Sequence, residues 1–349
     1  MSIENCRARW AGGIVDFCGR GAACAVLAGL LSLVAETASA QERQSQAQVG
    51  AAIDRGLAFL TKDALAWKDE HHCASCHHAS LVVWAMREAK RRGHAVDEPV
   101  LADLTKWLIE AGEGKTGVPR PAGIPKALNT KAVYFTIALA TAPEPDAASR
   151  QGMKLMLQTM RGDQLENGSW AAWPETRPPL FGPSDESMTA LATLAVLPAA
   201  AGGDETAIAV RDKAVRWLGQ TKSDDDPQSI ALRLILWKRL GRTAEECAPL
   251  VRRITERQNA DGGWSQTAEM ASDAWATGQA LYALAHAGVK PGEIAVDRGL
   301  AFLIASQRDD GSWPMTSRPT KPGGEGSKNL IPITGAGSAW AVLGLVSGR

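Results

Sequence analysis

The sequence is poor in several residue types, and each shortage narrows what the protein can be. It has five Phe and two Tyr against twelve Trp. Such heavy use of Trp is typical of a repeated structural position. Acidic and basic residues are equal in number, 38 of each, and neither sign forms a long run. This balance argues against a nucleic-acid partner and against binding to an anionic membrane surface.

Long hydrophobic runs are also scarce, and the main one, Ala22–Ala35, lies near the N-terminus. Three arginines precede it, and Ala38-Ser39-Ala40 follows as a small-x-small cleavage site. This order predicts a secretory signal peptide over 1–40, a short linker over 41–48 and an exported protein, periplasmic or extracellular. A membrane anchor fits less well because the run is short and interrupted by polar or small residues. We expect no transmembrane segment in the mature chain.

Cysteine is rare once this leader is removed. Of the six cysteines, Cys6, Cys18 and Cys24 fall in the leader, which leaves Cys73, Cys76 and Cys247. Three cysteines in a chain of this length exclude a disulfide scaffold. Cys247 lies in a helical pattern, where a small buried apolar role is the simplest interpretation.

A repeat is visible at both ends of the mature chain. Segments 52–63 and 295–306 are nearly identical, and a Gln-x-x-x-Gly-x-Trp motif occurs three times after helix-like stretches. The motif residues are Gln164 and Trp170, Gln258 and Trp264, and Gln307 and Trp313.

Apolar periodicity divides the chain into six pairs of helical segments. The first helix of each pair is amphipathic and the second is more uniformly apolar, as expected for an outer ring of helices around an inner ring. Several second helices end at Gly, which favours a helix C-terminus. The sequence therefore predicts an all-α fold, an (α/α)6 toroid of six hairpins over 49–349. The predicted pairs are 49–93, 96–145, 146–202, 203–242, 243–290 and 291–349.

The stretch 298–313, RGLAFLIASQRDDGSW, resembles the QW motif of squalene–hopene cyclases and related terpenoid cyclases. That family, together with protein prenyltransferase β-subunits, has an α/α toroid of this kind. The resemblance implies structural roles for the six QW residues: the Gln would cap the N-terminus of an inner helix while the Trp stacks nearby. Orphan N–H groups at a helix start do need an acceptor.

One rim of the predicted toroid is more elaborate than the other. Long loops occur within pairs, at 112–128, 171–184 and 314–334, and long loops are commonly functional. Acidic residues precede or open the inner helices on the same rim. Helix capping explains each acid taken singly. Alternatively, several of them converge on the mouth as ligands or acid–base groups, with Asp185 and Asp273 as candidate catalytic residues.

Terpenoid cyclisation is the enzyme activity that the family resemblance suggests, and the residues argue against it. Class II cyclases protonate their substrate with an Asp-x-Asp-Asp motif, whereas this chain has Ser223-Asp224-Asp225-Asp226. Few Phe and Tyr are available to line a cavity that stabilises cations. Those cyclases are also about twice as long, with a second helical domain, and the predicted leader would export this chain, so cyclase activity is not the favoured prediction.

The densest chemical signal is HHCASCHHAS over 71–80. Cys73-Ala74-Ser75-Cys76-His77 has the spacing of a c-type haem attachment site. In such a site two thiols bind the vinyl groups of one haem, and the His ligates iron. We therefore predict haem c on Cys73 and Cys76, with His77 as axial iron ligand and a redox or electron-transfer role.

Three alternatives stay open at this motif. Zinc could be bound by Cys73, Cys76 and two neighbouring histidines, the two cysteines could form a redox disulfide, or the loop could be an incidental helix start. Without haem, the acidic mouth would instead hold a glycan, peptide or lipid, so the partner is a redox protein or a small ligand. A sixth iron ligand is undecided among His71, His72, Met86, His94 and none.

Overall fold

The structure is a computed structural model, and it divides the chain into two compact units, Met1–Gln48 and Val49–Arg349. The structure describes residues 19–71, 74, 76–112, 130–142, 145–172, 184–319 and 324–348. Within these ranges, side chains are described except for those of 19–42, Cys76 and Thr130.

Twelve α-helices account for most of the described chain, and its β-structure is limited to isolated bridge residues, such as those that pair Ser265 with Ser272 and Pro319 with Gly326. A short π-helical turn, Cys76–Ser80, leads into α2. The helices are α1 Gly19–Glu70, α2 Leu81–Arg91, α3 Glu98–Gly112, α4 Thr130–Ala140, α5 Ala147–Asp163, α6 Asp185–Ala201, α7 Glu205–Gln220, α8 Pro227–Arg239, α9 Ala244–Thr255, α10 Ala274–His286, α11 Ile294–Ser306 and α12 Ile331–Ser347.

The even-numbered helices form a closed inner ring. Each packs against the next even-numbered helix, and α12 packs against α2 to complete the circle. Their residues are almost all buried, as in α10, where every residue from Ala274 to Leu284 is inaccessible. Odd-numbered helices bury only one stripe, as α7 does with four residues. Because an apolar stripe needs one partner and an all-apolar helix needs several, this pattern confirms the predicted all-α toroid of six hairpins.

The glutamines of the three QW motifs connect neighbouring outer helices. Gln164 Nε2 donates to Val210 O of α7 at 2.9 Å and to Gly168 O of its own motif at 3.0 Å. Gln258 and Gln307 repeat this arrangement on α11 and α1. Each glutamine follows its own outer helix and donates to a carbonyl of the next outer helix. The observed bonds therefore differ from the cap on an inner helix that the family resemblance implies.

The tryptophans of the same motifs connect the outer and inner helices of one hairpin. Trp170 Nε1 donates to Met160 O of α5 at 2.8 Å, and its backbone N–H donates to Thr189 Oγ1 of α6 at 3.0 Å. Trp264 and Trp313 make the same two kinds of bond. All three rings are buried, so each motif fixes one hairpin through the indole and joins it to the next through the amide.

The closest helix approach in the inner ring is between α10 and α12. A Cβ atom placed on Gly278 would lie 2.2 Å from Trp340 O, and one on Gly344 would lie 2.9 Å from the Cα of Gly278. Only glycine permits this backbone contact. Among the described residues, no helix is both long and apolar enough to cross a membrane.

Candidate functional site

The Cys-x-x-Cys-His segment lies between the end of α1 and the start of α2. Cys73, with His72 and Ser75, lies outside the described residues, and the side chain of Cys76 is not described. His77 and His78 belong to the π-helical turn Cys76–Ser80. Single π-turns of this kind are common at functional sites. The predicted axial ligand His77 thus lies at the start of the first inner helix, on the rim where all the inner helices begin.

Three histidine rings surround Trp67 near the end of α1. The ring of His78 stacks on the indole with centroids 4.2 Å apart, while those of His71 and His77 meet it edge-on at 3.8 and 5.0 Å. The Nδ1 atoms of His77 and His78 also contact each other. An aromatic platform therefore holds the imidazoles of the motif together, an arrangement that the spacing of His and Cys alone did not predict.

The imidazole of His78 contacts a carboxylate of α1. Its side chain is fully buried, and Nε2 lies 3.1 Å from Asp63 Oδ2. Helix α12 covers this pair closely, since a Cβ on Gly335 would lie 2.8 Å from the Asp63 carboxylate and 3.3 Å from the His78 ring. The orientation of His78 is consequently determined by α1 and α12 together.

His77 is held in its neutral form. Burial lowers its pKa well below the usual histidine range, and the positive charge available on His78 and His71 lowers it further. A neutral imidazole is the form that ligates a metal. Within the described residues no group of three His, Cys, Asp or Glu side chains forms a metal cage.

The candidates for a sixth iron ligand are widely separated. His71 contacts Trp67 beside His77, whereas Met86 is completely buried inside α2. His94 lies beyond the opposite end of α2, where its Nδ1 is 3.2 Å from Asp54 Oδ1. An eleven-residue helix spans about 16 Å, so His94 and His77 cannot ligate one iron in this structure.

Several acids at the mouth hold loops and helix starts. Exposed Asp185 accepts a bond from Ala172 N at 2.7 Å. Glu186 is buried and pairs with Arg233 Nε at 2.5 Å, and it also accepts bonds from Ser223 Oγ and Asp224 N. Asp226 caps α8 through Ser229 N at 2.7 Å. The capping interpretation describes Asp226 well, and Glu186 forms a buried ion pair that the sequence did not indicate.

Asp273 differs from the exposed acids because it is buried at the N-terminus of α10. Its Oδ1 accepts from Ala276 N at 2.8 Å and its Oδ2 from Gln266 Nε2 at 2.5 Å. Burial raises the pKa of Asp273 to about 6, against these bonds and the charge of Arg318, which lower it. A carboxyl group that titrates near neutrality is suited to acid–base chemistry, although its cap also explains its position.

A small cavity lies next to Asp273, between α8, α10 and the segment around Arg318. Besides Trp264 of the second QW motif, five of its lining side chains carry polar groups that are at least nine-tenths buried: Gln228, Gln266, Trp275, Gln279 and Arg318. Sequence reasoning missed all five, because Gln and Trp inside apolar helices carry no motif. The only available signal was the placement of Arg318 in the long loop 314–334.

With this geometry established, solved structures provide a comparison. The chain has the fold of a terpene cyclase. A variant of the type II terpene cyclase MstE from Scytonema, in complex with geranylgeranyl dihydroxybenzoate, aligns with a TM-score of 0.56 at 14% identity, covering 88% of this chain and 99% of that one. The same enzyme without ligand gives 0.54 at 14% identity, with coverages of 86% and 98%.

A second kind of protein shares the architecture. A glycosidase variant aligns with a TM-score of 0.53 at 13% identity, covering 84% of this chain and 97% of that one. No protein-family model matches the sequence, and no curated protein matches it either. At these identities the likeness establishes a terpene-cyclase-like all-helical toroid, and one fold of this kind carries different chemistries.

Proposed function

We propose that this protein is an exported toroid that carries a covalently attached c-type haem on Cys73 and Cys76, with His77 as an axial ligand. The observation that carries the proposal is the position of His77: it directly follows the Cys-x-x-Cys spacing and lies in a π-turn at the start of the first inner helix. The spacing suits two thioethers to one macrocycle.

The residues around His77 fit such a group. Burial keeps the imidazole neutral, and Trp67 packs against the rings of His71, His77 and His78. Bound haem would supply one-electron redox chemistry. In the protein, Trp67 would limit access of water from one side, and the contact with His78 would hold the His77 ring in place.

The predicted leader supports the same function. Covalent haem attachment of this type occurs outside the cytoplasm, and the segment 1–40 predicts export. We expect the ring to lie over the toroid mouth rather than in solvent, since burial of a large apolar macrocycle stabilises by about 25 cal/mol for each Å². Redox or electron transfer with an external partner is the expected role.

The test is periplasmic expression in a host that attaches c-type haem. We expect a Soret band that survives denaturation and a mass increase of one haem. The double variant Cys73→Ala/Cys76→Ala should lose both signals but keep the helical far-UV signal, because the QW bonds hold the ring of helices separately. Cys247→Ala is the matched control, since it removes the other mature cysteine and should retain the haem.

Three results would overturn the haem proposal. A covalent chromophore that persists in the double variant would show that the attachment site lies elsewhere. Colourless protein from a host that matures a control cytochrome would show that haem is not the cofactor. An unfolded double variant would point to a structural metal or disulfide at the same cysteines.

Zinc is the second candidate, and one contact favours it. Histidines that bind metals commonly place their other ring nitrogen on a carboxylate, and His78 has Asp63 in that position at 3.1 Å. Its Nδ1 faces that of His77, beside the two cysteines in the sequence. Metal analysis separates the candidates: one zinc per chain, lost in Cys73→Ala/Cys76→Ala and reduced in Asp63→Asn, would replace iron.

A third candidate is the terpenoid cyclisation suggested by the likeness to the type II terpene cyclase. Its support is the shared toroid and the buried carboxyl group of Asp273, which could act as a proton donor. Incubation with geranylgeranyl dihydroxybenzoate, the substrate bound to that cyclase, tests it directly. A cyclised product that disappears in Asp273→Asn would establish this activity. Unchanged substrate leaves the haem proposal as the favoured function.

A further inference from the structure

The cavity beside Asp273 contains a concentration of buried polar atoms without a hydrogen-bond partner among the described residues. These atoms are Gln228 Nε2, Trp275 Nε1, Gln279 Nε2 and Gln266 Oε1. Each belongs to a side chain that is no more than 5% exposed. Leaving such a group unsatisfied costs about 1–3 kcal/mol, so four around one cavity indicate an occupant that makes hydrogen bonds.

Neighbouring contacts determine whether two of these groups can donate or accept a hydrogen bond. Gln266 Nε2 donates to Asp273 Oδ2 at 2.5 Å and to Thr316 O at 3.0 Å, so its Oε1 is the end that remains to accept. Gln228 Oε1 accepts from Arg318 at 3.4 Å, which leaves its amide nitrogen to donate. The indole of Trp275 can only donate. The cavity thus offers several donors and an acceptor.

The charges beside the cavity are already balanced. Arg318 is buried, and the negative charges of Asp226 and Asp273 counteract the loss of solvation on its guanidinium. Both carboxylates are bound to helix N-termini by their own caps. Arg257, the other charged side chain in the lining, is paired with Asp225. An anionic ligand would have to compete with Asp225, Asp226 and Asp273 for the guanidinium groups, and a cation would meet Arg257 and Arg318. A neutral ligand avoids both conflicts.

The size of the cavity limits what enters it. Its volume is about 20 Å³, enough for one water-sized group. The rest of the lining includes apolar side chains such as Ile230, Ile254 and Ala280. A hydroxyl group can accept from two of the three donors and donate to the one acceptor, which matches this lining in kind and size.

We propose that this cavity is a binding site for the hydroxyl end of a neutral polyol or sugar, held by Gln228, Trp275 and Gln279 as donors and by Gln266 as acceptor. The remainder of the ligand extends toward the mouth of the toroid. The site is separate from the proposed haem site, and it needs neither iron nor zinc.

The indole N–H of Trp275 reports directly on occupancy. Protein labelled with ¹⁵N-tryptophan, with the Trp275 signal identified through Trp275→Phe, is titrated with glycerol, with D-glucose and with glycerate. Glycerate replaces one hydroxymethyl group of glycerol by a carboxylate. We expect saturable shifts with at least one of the neutral probes and none with glycerate, because the guanidinium groups at the cavity are already paired with Asp225, Asp226 and Asp273.

Substitutions distinguish specific binding from a general effect of solutes. Gln279→Leu removes one donor and should weaken binding about 5- to 10-fold, while its melting temperature stays at or above that of the parent because a buried unsatisfied group is lost. Gln228→Leu is a second variant with the same expectation. Trp107→Phe is the control: it changes a buried indole on the outer helix α3 that does not line the cavity, so binding should not change.

Three outcomes would overturn the proposal. Shifts that stay absent or rise linearly to the solubility limit with both neutral probes would mean that the cavity holds water only. Tighter binding of glycerate would mean that the site selects anions. Equal weakening by Trp107→Phe and Gln279→Leu would mean that the shifts come from general changes in the core.

Discussion

At the scale of single residues, the clearest contrast is between two buried acids at the mouth of the toroid. Asp273 and Glu186 both lie at the start of inner helices and both are inaccessible to solvent. Glu186 has a direct guanidinium partner in Arg233, whereas Asp273 accepts from neutral N–H groups. Burial raises the pKa of Asp273 more than its hydrogen bonds and Arg318 lower it, which favours the protonated form of this carboxyl group. The two buried acids, Asp273 and Glu186, therefore lie in different electrostatic surroundings.

Asp273 should make the stability of the fold depend on pH. Its pKa rises from 3.8 to about 6 on folding, so the folded state binds the proton more tightly than the unfolded state. The stabilisation is complete below pH 3.8 and is lost as the pH rises through 6, a change of about 3 kcal/mol. Urea unfolding between pH 4 and 7 should show this decline. In Asp273→Asn the decline should be smaller by that amount, and identical slopes would contradict the prediction.

The ion pair of Glu186 and Arg233 should be a requirement for folding rather than for activity. Glu186→Gln leaves a buried guanidinium without its counter-charge, which should lower the free energy of unfolding by about 3–5 kcal/mol. Asp225→Asn is the control in the adjacent loop, because exposed Asp225 pairs with Arg253 and Arg257 at the surface. It should leave stability unchanged. Denaturant titrations in which Glu186→Gln is as stable as the parent protein would contradict the prediction.

Among the elements, the inner helices depend most on close backbone contact. Helices α10 and α12 approach at Gly278 and Gly344, and this contact brings Trp275 and Trp340 to a centroid distance of 5.8 Å. The outer helices instead join one another through the QW amides. Inner-ring packing therefore depends on shape, and outer-ring packing depends on hydrogen bonds.

Gly278→Ala tests the helix contact. The new methyl group would lie 2.2 Å from Trp340 O, a backbone atom that cannot move without displacing α12, so we expect a loss of more than about 3 kcal/mol. Gly219→Ala in α7 is the control, since nothing lies within 4 Å of its added Cβ. That change should raise stability by about 0.5–1 kcal/mol through helix propensity. Thermal unfolding of both variants measures the difference, and a tolerated Gly278→Ala would refute the close contact.

At the scale of the whole molecule, the toroid is closed by its first and last hairpins. Gln307 of the last motif donates to Ala52 O of α1 at 2.9 Å, and α12 packs against α2. The segments 52–63 and 295–306 are thus similar in sequence and adjacent in the outer ring. A closed ring has no terminal repeat to expose, unlike an open solenoid.

If the ring is closed, equivalent QW motifs should contribute about equally to the free energy of unfolding. Gln307→Ala at the closure and Gln164→Ala within the ring remove the same two bonds to backbone carbonyls. Gln307→Ala also removes the exposed bond that Gln307 Oε1 accepts from Arg55, which adds little. Each should lower the free energy of unfolding by about 1–3 kcal/mol, with a single cooperative transition. A neutral Gln307→Ala beside a destabilising Gln164→Ala would show that the ring is open at this junction in solution.

Local features of this protein could be predicted from its sequence, because their causes are local. The QW spacing and the alternation of amphipathic with apolar helices depend on residues a few positions apart, and they predicted six hairpins and their pairing. Acids at helix starts were correctly interpreted as caps at Asp226. The haem motif and the leader are equally local patterns, and they stay predictions.

The direction of the QW glutamine bonds, the Glu186–Arg233 pair and the cavity depended on the tertiary structure. Gln228, Gln266, Gln279 and Arg318 are far apart in the chain, and only the ring brings them to one place. Gln and Trp occur in apolar helices whether or not they face a cavity, so the sequence could not show which of them line one. Helix periodicity in the sequence by itself specified which residues face inward. Closure of the ring decided which of those residues contact each other, because such contacts depend on the packing of helices that are distant in sequence.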